Sequence, residues 1–211
     1  MPTTLYYSRS TASLVVHWLL IELGVPHELH ELDFDKRDQK SADYLKLNPA
    51  GVVPTLVMDG QAITETAAIV MHLADLHPKA ELAPAVASSQ RAQYYRWMLF
   101  CANTLMPAYR AWFYSDEIAG SENSDASRQH ARAKLEKAWG QVADHLDAHG
   151  PYLLGAQRTA ADFLLTMLMR WSRNMPKPTD TWPVLQAHAQ RMKALPSFKE
   201  VYAREGLTDW T

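Results

Sequence analysis

Two short stretches of this chain hold residue types suited to gripping an anion and a peptide side by side. Glu65-Thr66 stands eleven residues past Pro54 and opens the apolar run Thr66–Asp75. At a helix start the first N–H groups have no partner inside the helix, and the dipole favours negative charge, so this pair is a candidate anion site. Val53-Pro54 precedes a strand expected over Thr55–Met58. A cis bond there would turn the Val53 N–H and C=O away from the local ladder and leave them to pair with an extended, peptide-like ligand. Ser10, Thr11 and Ser13 cluster at the start of another expected helix. Each feature also has an ordinary use: hydroxyls and acids cap helices, and most X-Pro bonds are trans turns.

The elements that must position these residues follow from pattern. Leu5–Tyr7 reads as a short buried strand. Leu14–Leu23 reads as a helix stopped by Gly24 and Pro26, and Glu28–Asp33 as a second strand. Ser41–Leu47 is a short helix. Thr55–Met58 and Gln61–Ile63 flank the hairpin turn Asp59-Gly60, and Glu65–His77 is a helix closed by Pro78. Strand signals then cease. Helices are expected near Ser88–Tyr114, Ala126–His149, Ala160–Asn174, Val184–Ala194 and Ser197–Arg204. An α/β domain over 1–78, a linker over 79–87 rich in proline and alanine, and an all-helical domain over 88–211 is the expected organisation.

Composition narrows the function. Of 211 residues, 47% are hydrophobic and 21% charged, enough apolar surface for a core. A net charge of −2 gives no basic footprint for nucleic acid. The lone Cys101 excludes an internal disulfide and a Cys-x-x-Cys pair, and fits a reducing compartment. Leu14–Leu23, the longest apolar stretch, is interrupted by His17 and Glu22 and is too short to span a membrane. No basic segment precedes it, so no signal peptide is expected and a cytoplasmic location is.

Three stretches carry a family resemblance. Asn48-Pro49-Ala50-Gly51-Val52-Val53-Pro54-Thr55-Leu56 resembles the Asn-Pro-x-Gly-x-Val-Pro signature of the glutathione transferases. Glu65-Thr66-Ala67-Ala68-Ile69 resembles their acid–Ser–x–Ala–Ile turn, with Thr for Ser. Thr159-Ala160-Ala161-Asp162 resembles the capping motif of their helical domain. Leu5-Tyr6-Tyr7-Ser8 and Ser13-Leu14 are similar to the bacterial beta-type members in particular. The resemblance implies a thioredoxin-like domain followed by a helical bundle, glutathione as co-substrate without a metal, and a homodimer. It implies that Thr66 holds the γ-glutamyl carboxylate, Glu65 faces the ammonium, and Val53-Pro54 meets the peptide backbone. Gln39, ahead of Lys36 and Arg37, is the first choice for the glycine carboxylate. Beta-type enzymes carry a cysteine where this chain has Ala12, and an Asn and a His at positions that align with Leu99 and Met106. Their cysteine chemistry therefore does not transfer. Other branches hold the glutathione sulfur with a serine or threonine, which implies a catalytic role for Ser10 first, then Ser13, with Thr11 as a further alternative. A hydroxyl donor and a helix N-terminus both favour a thiolate.

The expected activity is glutathione transfer to small hydrophobic electrophiles. The alternatives are glutathione-dependent disulfide or peroxide reduction, and a binding module that has lost catalysis. The aromatic stripe Tyr94–Tyr114 is mostly bundle core, but its far end, with Met106, Tyr109 and Trp112, is the expected apolar wall for an electrophile. His145 and His149 have metal-capable spacing without a third ligand, and read as a solvated helix end. His17 and Cys101 read as core residues, and Thr159-x-x-Asp162 as a capping box with a folding role.

Overall fold

The computed structural model describes residues 2–211. Strands β1 (Thr3–Tyr7), β2 (His27–Glu31), β3 (Thr55–Met58) and β4 (Gln61–Ile63) form one sheet in the order β2-β1-β3-β4. β1 is parallel to β2, which requires a crossover; helix α1 (Leu14–Glu22) supplies it. β3 and β4 form the expected hairpin, with Asp59 and Gly60 both at positive φ, as a tight two-residue turn demands. Helices α2 (Ala42–Leu47) and α3 (Thr66–Leu76) complete the α/β unit.

The register decides which loops meet. Leu5 pairs with Leu56, and Leu56 with Ile63. The chain therefore leaves β1, enters β3 and leaves β4 at the same end of the sheet. β2, parallel to β1, also ends there. The candidate glutathione-binding residues of the α/β unit all follow or precede a strand at this one end.

The chain divides into two compact units, and the division does not follow chain order. One unit runs to Ala83 and takes back Lys193–Thr211; the other is Pro84–Met192. The cause lies in α1, whose Leu14, Val15, Val16, Trp18, Leu19 and Leu20 are all buried. A helix apolar all round needs cover on both sides. The sheet covers one, and the last helix, α10 (Pro196–Glu205), covers the other. Trp18 Nε1 donates to Ser197 Oγ at 2.9 Å, the Ser197 hydroxyl donates to Glu22, and Trp18 meets Phe198 edge-on. Proximity in sequence had assigned 197–204 to the helical domain.

The second unit is helical: α4 (Arg91–Phe100), α5 (Met106–Phe113), α6 (Ser115–Ala119), α7 (Ser124–His149), α8 (Ala160–Trp171) and most of α9 (Pro183–Lys193). The single helix expected over 88–114 is broken by a π turn at Cys101–Leu105, where Met106 N–H bonds Cys101 O. Pro107 lacks an N–H and its ring crowds the carbonyl four residues back, which accounts for the widening. α8 begins on a buried acid: Asp162 Oδ2 accepts the Thr159 N–H and hydroxyl at 2.7 and 3.1 Å, and Oδ1 accepts Leu153 N–H at 2.9 Å. No helix among the described residues is long and apolar enough to cross a membrane.

Candidate functional site

The loop after β1 is held by its own hydroxyls. Thr11 Oγ1 donates to Ser8 O at 2.7 Å, Ser13 Oγ donates to the same carbonyl at 3.0 Å, and the two hydroxyl oxygens lie 2.8 Å apart. Ser13 Oγ also accepts Ser8 N–H at 3.3 Å, and Ser13 is fully buried. Each hydroxyl has one hydrogen. Those of Thr11 and Ser13 are spent inside the loop, and Ser13 makes no helix-capping bond. Ser10 differs. It is partly exposed, it stands at φ 62, and its N–H donates to Glu205 Oε2 at 3.2 Å.

Across the sheet end, β3 enters from the segment Val52–Pro54. The Val53-Pro54 bond is cis, and Val53 lies outside the ladder, which begins at Thr55. A buried network pins the segment. Tyr44 OH donates to Val52 O at 2.6 Å and lies 2.8 Å from Thr55 Oγ1; Asn48 Nδ2 donates to Val52 O at 2.8 Å and to Thr55 Oγ1 at 3.1 Å. Burial pushes the Tyr44 phenol up, so it stays a donor. Val53 packs in a small cluster with Leu32 and Tyr44. Gly51 is required here. It sits at φ +60, and a Cβ would fall 2.7 Å from Lys40 Nζ and 2.8 Å from Gln39 O. That approach brings Gln39 beside the segment, with its buried Oε1 lacking a hydrogen-bond partner among the described residues.

After β4, Glu65 stands at φ 70, exposed, as the residue before α3, and Thr66 begins the helix at 5% exposure. Continued two residues past its last pair, the β3–β4 register sets Glu65 opposite Pro54. The structure thus brings Ser10, Val53, Pro54, Glu65 and Thr66 to one end of one sheet. Beside them, Arg9 pairs with Glu31 at 2.8 Å, and Tyr7 OH donates to Glu31 at 3.3 Å. Burial, and then the Glu31 carboxylate, push the Tyr7 phenol up. A cavity of about 520 Å³ opens on the β2 side, between Arg9, Glu31, Asp33, Asp35, Lys36 and Asp38. Of the expected binding residues it meets Lys36, a lesser choice for the glycine carboxylate, and its four carboxylates suit an anionic ligand poorly.

In the helical unit the outcome is mixed. Tyr109 is fully buried, its hydroxyl accepts Trp139 Nε1–H at 3.1 Å, and its ring stacks on Phe113. The expectation that it walls an electrophile site gives way to a core role, because no face of the ring is open. Met106 and Trp112 are partly exposed. Cys101 is buried, and burial pushes its thiol up, which removes it as a nucleophile. His145 and His149 stack on each other; His145 is partly buried with Nε2 2.8 Å from Leu153 O, while His149 is exposed at the solvated helix end. Among the described residues no cluster of three or more His, Cys, Asp or Glu could hold a metal ion.

Sequence reasoning missed Glu205 as a partner of the Ser10 loop, because 195 residues separate them. It also missed Tyr44 as a clamp, although Asn48 and Thr55 fall within the quoted signature.

A thioredoxin-like α/β unit joined to a helical unit, with a cis-proline segment opposite a helix N-terminus, defines a class of glutathione-binding proteins. The comparisons with known proteins agree: a family model for the glutathione S-transferase N-terminal domain matches residues 9–76, and one for the C-terminal domain matches residues 102–205. The chain is 34% identical over 205 residues to glutathione S-transferase GST-4.5 of Xanthomonas campestris, covering 96% of this chain and 98% of that one. A bacterial glutathione transferase, BphK, solved as a ternary complex, superposes with a TM-score of 0.86 at 36% identity, covering 97% of this chain and 100% of that one. A sphingomonad glutathione S-transferase solved with glutathione superposes with a TM-score of 0.85 at 26% identity, covering 97% and 100%. The chain belongs to the glutathione S-transferase family.

Proposed function

We propose that this protein binds glutathione at the end of the sheet described above and transfers it to small hydrophobic electrophiles. The observation that carries the reading is the convergence there of the Ser8–Ser13 loop, the Val53-Pro54 segment and the N-terminus of α3. The γ-glutamyl carboxylate meets the Thr66 amide and hydroxyl, with Glu65 opposite the ammonium. The cysteinyl backbone pairs with Val53, and Gln39 is the candidate for the glycine carboxylate. Ser10 is the proposed donor to the sulfur: it is partly exposed, whereas Ser13 is fully buried and the Thr11 hydroxyl points back to Ser8 O. The donor favours thiolate over thiol, and the thiolate forms the new sulfur–carbon bond as the electrophile releases its leaving group or takes up a proton. Met106 and Trp112 are proposed to meet the electrophile.

A homodimer is part of this proposal, supported by the large exposed apolar side chains Leu76, Tyr95 and Leu99 on α3 and α4. A cytoplasmic location is proposed with it, in keeping with a single, buried cysteine. Calorimetry with glutathione, followed by turnover of an activated aryl chloride, tests the reading. Binding with turnover supports transfer, binding without turnover favours a binding module, and no binding refutes both. Light scattering near the mass of one 23.9 kDa chain would refute the dimer.

A further inference from the structure

One buried carboxylate lies under the loop on which the proposed function depends. Glu205 closes α10, and both it and His17 of α1 are fully buried. Glu205 Oε1 lies 2.9 Å from His17 Nδ1, while Oε2 accepts Ser10 N–H at 3.2 Å. His17 Nε2 is buried and has no hydrogen-bond partner among the described residues. A neutral imidazole carries one N–H. Placed on Nε2, that hydrogen would be orphaned, and a lone pair would face the carboxylate. Placed on Nδ1, it gives Glu205 a donor, and this is the tautomer the geometry selects.

A carboxylate taken out of water needs its oxygens hydrogen-bonded. Here His17 holds one oxygen and the Ser10 amide the other. Ser10 stands at φ 62, a left-handed setting that residues with a Cβ seldom occupy. The bond to Oε2 fixes the peptide plane that leads into this left-handed turn, and a loop that turned that plane away would leave the buried acid one bond short. The conformation of the loop is therefore tied to a side chain 195 positions away.

Resting on the function proposed above, we infer that Glu205 is a positioning residue for glutathione activation. It holds the Ser10 backbone so that the Ser10 hydroxyl faces the sulfur, and His17 orients the carboxylate that does so. Glu205 itself touches neither reactant. The last helix of the chain thereby helps to build the chemical site of the first unit.

The test compares the full-length parent with Glu205→Met, which removes both acceptors at similar volume, and Glu205→Gln, which keeps one carbonyl oxygen for the Ser10 N–H. Amide hydrogen exchange at Ser10 reads the grip in the free protein. Steady-state kinetics with glutathione and an activated aryl chloride read its consequence. In Glu205→Met, Ser10 exchanges at least about tenfold faster and kcat falls by about tenfold or more, while KM for glutathione moves by less than about threefold. Glu205→Gln restores most of kcat, which a loss of folded protein would not explain. Should Glu205→Met fail to fold, Glu205→Asp, one methylene shorter, carries the same expectation. A folded variant with parental Ser10 exchange and parental kcat overturns the inference. Failure of the functional reading shows elsewhere, as a parent that binds no glutathione, and the positioning role falls with it.

Discussion

Thr66→Val exchanges a hydroxyl for a methyl at a position only 5% exposed. The change keeps the size of the side chain, and a methyl suits a nearly buried site, so stability should stay within about 1 kcal/mol of the parent. Binding should respond more. A hydrogen bond to a charged group contributes on the order of 1.5–3 kcal/mol, and the carboxylate at α3 loses one such donor. At about 1.4 kcal/mol per factor of ten, this corresponds to a roughly 10- to 150-fold rise in Kd for glutathione. The Thr66 amide remains, so binding weakens without being abolished. Titration calorimetry at matched protein concentration measures it, with a melting curve as control. A Kd within about twofold of the parent would refute the placement of the carboxylate at this helix start.

Ser10→Ala should raise the pKa of bound glutathione, read from thiolate absorbance against pH, and slow conjugation near neutrality; an unshifted curve would remove Ser10 from the sulfur site. Gly51→Ala should destabilise by about 1–3 kcal/mol, since it adds a Cβ at positive φ against Gln39 O, and denaturant unfolding will show it. Thr159→Ala removes a hydroxyl donor from the buried Asp162 and should cost about 1 kcal/mol, up to roughly 2, with turnover per folded molecule unchanged at low temperature. Acid should weaken the fold. Burial holds both His27 and His145 below the ordinary imidazole value of 6.5, so the neutral forms favour folding. Their contribution is intact above that value and is lost as pH falls below it. Urea midpoints should therefore drop between about pH 7.5 and about pH 5.5, and a His27→Gln, His145→Gln double variant should flatten the slope.

Most of the α/β unit was legible because its signals are local. Asp59-Gly60 announced the hairpin, Gly24 and Pro26 the end of α1, and the alternation after Pro26 the second strand. The π turn was hidden, because Pro107 permits several remedies and the apolar stripe runs on through it. The home of α10 was hidden for another reason. Only packing shows that α1, apolar on every side, has a face the sheet leaves uncovered. At the site, residue types and spacing pointed to Glu65-Thr66 and Val53-Pro54, and the sheet register explains why they meet. Choosing among Ser10, Thr11 and Ser13 needed atomic positions, since all three hydroxyls look alike in sequence, while the fold buries Ser13, turns Thr11 back onto Ser8 O and leaves Ser10 partly exposed. Tyr109 failed as a wall residue because its spacing on α5 serves the core and Trp139 occupies its hydroxyl.

A crystal structure of the protein with glutathione bound tests the central claim most directly. The account predicts the γ-glutamyl carboxylate on the Thr66 amide and hydroxyl, the cysteinyl backbone against Val53, and the sulfur within hydrogen-bond distance of Ser10 Oγ. Glutathione in the cavity beside Arg9 and Lys36, or a sulfur turned away from the Ser8–Ser13 loop, would contradict it.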